Sequence, residues 1–138
     1  MASDLWYFGT SNGYIQGCVE WSSTSNGSVA NSSQVRVRVS FHRTNGDYGS
    51  HGTISTGTQV DSQTYWDNNR SVYVGTGWVY TLDHTFTVPH NSDGSKNCYI
   101  RVCGSANFSL GSFDTSRTVT LDKIPRYTSV SKFEVSEV

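Results

Sequence analysis

The segment Tyr65-Trp66-Asp67-Asn68-Asn69-Arg70 concentrates, within six residues, the side chains that a sugar-binding surface needs. An aromatic ring offers an apolar face at low entropic cost. Asn, Asp and Arg supply planar sets of donors and acceptors for paired hydroxyls. The segment reads as a loop, and Tyr65, Trp66, Asp67 and Asn68 are its candidate carbohydrate contacts. The competing reading is structural: Asp-Asn-Asn is a natural turn sequence, and Trp66 would then anchor it to the core. A second candidate is the loop Thr44-Asn45-Gly46-Asp47-Tyr48-Gly49-Ser50-His51-Gly52. Its glycines allow close backbone approach, and Tyr48 could stack on a ligand. The alternative there is a long hairpin loop.

Other chemistries find no matching pattern. The chain has no Gly-x-Ser-x-Gly elbow, no His-Glu-x-x-His and no phosphate loop. A glycosidase needs two opposed carboxylates, and Glu20 is the only glutamate before residue 127. No catalytic residue is assigned, and an enzyme is not expected. Asp93 with Asn91 lacks the twelve-residue calcium pattern and its bidentate Glu. Cys98 and Cys103 match no zinc spacing. No metal or other cofactor is expected. Three cysteines (Cys18, Cys98, Cys103) form no disulfide framework, so all three are expected as free thiols.

The elements that must position such residues are strands. Gln34 to Arg43 alternates strictly, with Val35, Val37, Val39 and Phe41 on one face and Arg36, Arg38, Ser40 and His42 on the other. From Gly77, the residues Trp78, Tyr80, Leu82, His84, Phe86 and Val88 share a face up to Pro89. Lys96 to about Leu110 forms the next strand, and the turn His90 to Ser95 joins the two as a long hairpin. Trp21, Trp78 and His84 are expected in the core. Tyr14–Trp21 and Phe113–Ile124 read as strands, Leu5–Phe8 as a possible first one, Thr53–Val60 as an edge strand and Ser71–Val74 as a short one. No segment carries apolar residues at helical spacing. The fold class is all-β: an antiparallel, jelly-roll-like β-sandwich over residues 1–126. Residues 127–138 break the pattern and read as a linker or docking arm.

Composition agrees. Disordered chains are poor in aromatic residues, and this 138-residue chain has 4 Trp, 8 Tyr and 6 Phe. A net charge of −1, with no basic run, argues against nucleic acid as a partner. No stretch is long and apolar enough to span a membrane. Met1-Ala2-Ser3-Asp4 has neither the basic nor the apolar region of a secretory signal peptide, so synthesis in the cytoplasm is expected.

Four features in order carry a family resemblance. They are the Trp21 strand with the polar loop Ser22 to Ser33 and Val35-Arg36-Val37-Arg38-Val39; Gly77-Trp78 opening a strand that ends Phe86-Thr87-Val88-Pro89; the turn His90-Asn91-Ser92-Asp93-Gly94-Ser95-Lys96; and Thr118-Val119-Thr120-Leu121 followed by Lys123-Ile124-Pro125-Arg126. From Gly13 to Tyr127 the chain resembles siphophage tail and baseplate structural proteins of phages and prophages of Gram-positive bacteria. The resemblance implies a sandwich module in the virion tail, of a kind that contacts host cell-wall polysaccharide; the partners expected are that polysaccharide, other tail domains and further copies of the chain. It carries over no fixed set of ligand residues. Two alternatives stand beside it: a spacer or oligomerising domain that binds nothing, and a glycan-targeting domain of an enzyme.

Overall fold

A computed structural model describes residues 1–46 and 49–126. The chain forms eight strands: β1 (Ser3–Gly9), β2 (Ile15–Ser25), β3 (Ser32–Arg43), β4 (Ser50–Val60), β5 (Gln63–Val74), β6 (Val79–Pro89), β7 (Asn97–Ala106) and β8 (Ser112–Thr120). All pairings are antiparallel, in two four-stranded sheets of order β1-β2-β3-β6 and β5-β4-β7-β8. The expected β-sandwich is therefore present, with β1 beside β2 in one sheet and β8 beside β7 in the other. The proposed arm at residues 127–138 lies outside the described residues.

Alternation builds the core. Val35, Val37, Val39 and Phe41 of β3 are fully buried, facing Ile54 and Val60 of β4 and Ile100 and Val102 of β7. Phe41 and Phe113 meet edge to face at 5.0 Å, joining the two sheets. At the seam between β1 and β8, Trp6 donates its indole N–H to Thr115 Oγ1 at 2.9 Å. At the opposite seam, Tyr65 of β5 stacks on His84 of β6, centroids 3.8 Å apart and planes 6° apart.

Four expectations need correction. Residues 65–70 are not a loop. They belong to β5, because the two-residue turn Asp61-Ser62 sends the chain straight back along β4. The strand at Thr53–Val60 is not an edge strand, since β4 lies between β5 and β7. The segments on either side of His90–Ser95 are not a hairpin: β6 pairs with β3 and β7 with β4 and β8, so the turn crosses between sheets. Finally, Trp78 is not core. The register of β3 with β6 shifts between Val39 and Ser40, which leaves Thr81 as an extra residue. Thr81 turns inward, fully buried, and its hydroxyl meets that of Thr56 in the other sheet at 3.0 Å. Beyond this bulge the faces exchange, so Trp78 and Tyr80 point to solvent.

The buried histidine is also a different one. His84 is only partly buried, whereas His90 is 9% exposed and bonded at both ring nitrogens. The Gly94 carbonyl can only accept, so Nδ1 donates to it at 2.7 Å. Nε2 then accepts from the Ser33 hydroxyl at 2.7 Å in the neutral ring. Three of the motifs read from the sequence converge here. Ile124 N–H donates to the same Gly94 carbonyl at 2.9 Å, Asn31 Nδ2 donates to Asn91 O at 2.9 Å, and Arg126 donates to the carbonyls of Ser28 and Ser92. Gly94 holds a φ of +88°, and a Cβ there would strike the Ile124 carbonyl.

Candidate functional site

Strand geometry decides which candidate residues meet. Successive side chains of a strand point to opposite faces, so β5 separates the proposed cluster. Tyr65 points to the seam, under His84. Asp67 lies on the same side as Tyr65, and Arg70 donates to its Oδ2 from Nε and Nη2 at 3.1 and 2.6 Å. Asn68 is exposed in a second bulge, where Asn68 and Asn69 stand opposite Ser55 and Asn69 adopts φ +53°. Tyr48 lies outside the described residues. Among the candidates within the described residues, Tyr65 and Asp67 turn to the inner side, whereas Trp66, 47% exposed, and Asn68 are open to solvent.

Trp66 shares its sheet face with residues of three other strands. The pairings Trp66–Gly57, Gly57–Cys103 and Cys103–Asp114 form one row across β5, β4, β7 and β8. Thr64–Gln59, Gln59–Arg101 and Arg101–Ser116 form the next. A Cβ added at Gly57 would lie 2.5, 2.6 and 2.6 Å from Cε2, Cδ2 and Cζ2 of Trp66. Near-equal distances to three ring atoms place the indole face, not its edge, over Gly57. One ring face is thus held on backbone and the other looks to solvent. A shallow hollow of about 110 Å³ lies beside it, bordered by Gln59, Thr64, Arg101 and Cys103.

The charges of this face are fixed in place. Arg101 donates Nε and Nη2 to the two oxygens of Asp114, at 3.0 and 2.7 Å. This fork holds the Asp114 carboxyl below the usual carboxylate range and raises the Arg101 guanidinium above its own. Both stay ionised at neutral pH, and Arg101 keeps donors that Asp114 does not use. The face therefore offers one ring, a planar fork and a carboxylate, which together suit a sugar's apolar face and its hydroxyls. Among the described residues, no three His, Cys, Asp or Glu side chains gather as a metal site requires.

Sequence reasoning missed Gly57, Arg101 and Asp114 because pairing brings them in from distant positions. One local signal was present. Counting outward from the turn Asp61-Ser62 gives Gln59–Thr64, Thr58–Tyr65 and Gly57–Trp66, which sets a glycine under the tryptophan.

A family model described as "Siphovirus protein of unknown function (DUF859)" matches residues 11–137. No curated protein and no solved structure matches the chain.

Proposed function

The chain belongs to this family of siphovirus proteins, and from that premise we propose that it is a non-catalytic virion module of the phage tail or baseplate that binds host cell-surface polysaccharide through Trp66. The observation that carries the reading is the indole itself. A large ring lies face-down on a glycine, half exposed, beside an ion pair held in fixed geometry. A ring serving only the core would be covered on both sides. Tyr65 and Asp67 support the site from the other side of β5, Asn68 stays exposed in the bulge two residues on, and Arg101, paired with Asp114, is the polar partner of the ring.

Removing the ring tests this. A stacked aromatic contact is worth about 1.4 kcal/mol, or about tenfold in affinity. Trp66→Ala should reduce retention on purified host cell walls by that factor while the domain still melts cooperatively. The stability loss should stay well under the roughly 3–5 kcal/mol of a buried Trp. Single domains should bind weakly and arrays strongly, as multivalent display requires. Unchanged retention by a folded Trp66→Ala domain would refute the site and leave the non-binding spacer as the better account.

A further inference from the structure

The bulge at Thr81 turns Trp78 outward to meet Tyr7 of β1, on the face of the sandwich opposite Trp66. Tyr7 of β1 and Trp78 just before β6 are 54% and 41% exposed, with ring centroids 5.9 Å apart and planes tilted by 34°. The register explains how side chains from the two edges of one sheet can meet. The residues between Tyr7 and Tyr80 in that row are Cys18 and Ser40. Both are small and buried, although their positions face outward.

The ledge is held rigidly. Trp78 stacks on His42 at 3.8 Å; His42 Nδ1 donates to Thr76 O at 3.2 Å, and its Nε2 lies 3.1 Å from the Gln16 side-chain amide, whose N–H donates to it in the neutral ring. Polar groups in the adjoining row are equally set. Tyr80 donates its hydroxyl to Glu20 Oε2 at 2.7 Å, and the Arg38 guanidinium lies 3.9 Å over the Tyr80 ring. Tyr80 is thereby a polar wall, and the open ring faces belong to Tyr7 and Trp78. The ledge lies between two hollows. One, of about 290 Å³, is bordered by Leu5, Glu20, Arg36 and Arg38. The other, of about 350 Å³, is bordered by Tyr7, Asn12, Gln16 and Thr44.

We infer that the Tyr7–Trp78 ledge is a second carbohydrate site that takes several consecutive units of a polysaccharide, making each chain bivalent through opposite faces. Its ligand class rests on the reading of Trp66 as a sugar contact; its existence as a separate site rests on the geometry of this face. Rings fixed by stacking lose little freedom on binding. Hollows on both sides of the rings suit an extended chain better than one sugar unit. Mixed and internally paired charges suit a ligand of low net charge better than a polyanion. Because the two sites face away from each other, one chain can join two polysaccharide strands.

The test uses the full chain with soluble polysaccharide purified from host cell walls. Turbidity reads cross-linking, titration calorimetry reads binding, and sedimentation reads the size of the free protein. Tyr7 is the ring to remove, since it is the more exposed and sits on an edge strand. Wild-type protein should be monomeric and should precipitate the polysaccharide. Tyr7→Ala and Trp66→Ala should each abolish precipitation, lower the site count from two to one and retain binding at the other face. Trp78→Ala should behave as Tyr7→Ala wherever it melts as a folded domain. Precipitation unchanged in Tyr7→Ala overturns the inference and leaves the Trp66 reading standing. Binding lost in Tyr7→Ala but intact in Trp66→Ala keeps this site and removes the first. Absence of binding by wild-type protein removes both. A wild-type dimer that Tyr7→Ala dissociates makes the ledge a contact between copies, which also overturns the inference.

Discussion

Gly57→Ala separates the platform from the fold more cleanly than removal of the ring. The new Cβ would lie 2.5–2.6 Å from three atoms of the indole, where carbon atoms need about 3.5–4.0 Å. The ring must rise by about 1 Å. A fully buried Trp covers about 150–250 Å², so a ring 47% exposed has about 100 Å² covered. At about 25 cal/mol per Å² that is about 2.5 kcal/mol. A gap of this size forfeits a quarter to a half of such contact, or about 0.6–1.2 kcal/mol. Against it stands the gain of about 0.5–1 kcal/mol from replacing glycine within a strand. The two nearly cancel, so the melting temperature should barely move, while the displaced ring costs about tenfold in retention on cell walls. Near-ultraviolet circular dichroism should report the altered indole. In a Trp66→Ala background the same change should stabilise the domain, because only the glycine gain remains. If Gly57→Ala leaves both the aromatic spectrum and retention unchanged, the ring does not depend on Gly57 and the platform argument fails.

Three further outcomes follow from the geometry. His90→Ala orphans the buried Ser33 hydroxyl and opens a void, which should cost about 2–3 kcal/mol; a melting temperature within 2 °C of wild type, on the order of the effect of ~0.5 kcal/mol, would contradict the structural role given to His90. Burial pushes the Cys98 thiol up to about 12 and raises Cys18, so a thiol reagent should label only half-buried Cys103 in the native protein and all three cysteines after unfolding. Arg36 beside Asp83 and Arg101 beside Asp114 hold both carboxyls below the usual range, so their stabilisation is present above the ordinary aspartate value near ~3.9 and lost as pH falls through the lower folded values. Melting temperature should decline modestly below about pH 4, as exposed pairs allow, and less steeply in an Asp83→Asn/Asp114→Asn double variant; an equal decline in the two proteins would remove these pairs as the cause.

Period-two alternation carried most of the fold. It placed Val35, Val37, Val39 and Phe41 in the core because a strand with one buried face has no other register. It misplaced Trp78 because one unpaired residue exchanges the faces of everything beyond it, and Thr81 carries no local mark of being that residue. The turn at His90 was legible as a turn but not as a crossing between sheets, since its local chemistry is that of a hairpin. The candidate site was legible in Trp66 alone. Sequence proximity suggested Tyr65 and Asp67 as its neighbours, and alternation sends both to the other side. Its actual neighbours are Gly57, brought in by the pairing of β4 with β5, and Arg101 and Cys103, brought in by a pairing of β4 with β7 that no local pattern announces.

The salt bridge between the Met1 amino group and Asp122, 2.7 Å long, has a mechanical meaning. It brings the start of β1 and the segment just after β8 to the same pole of the sandwich. Tension applied between residues 1 and 122 would not run along the strands. It would open the ladder between β1 and β2 like a zipper, one pair at a time from Ser3–Ser22 inward, instead of shearing many bonds together. Under such a load each pair would bear the force alone, so this pole of the sandwich would yield at a lower force than its ladders would in shear.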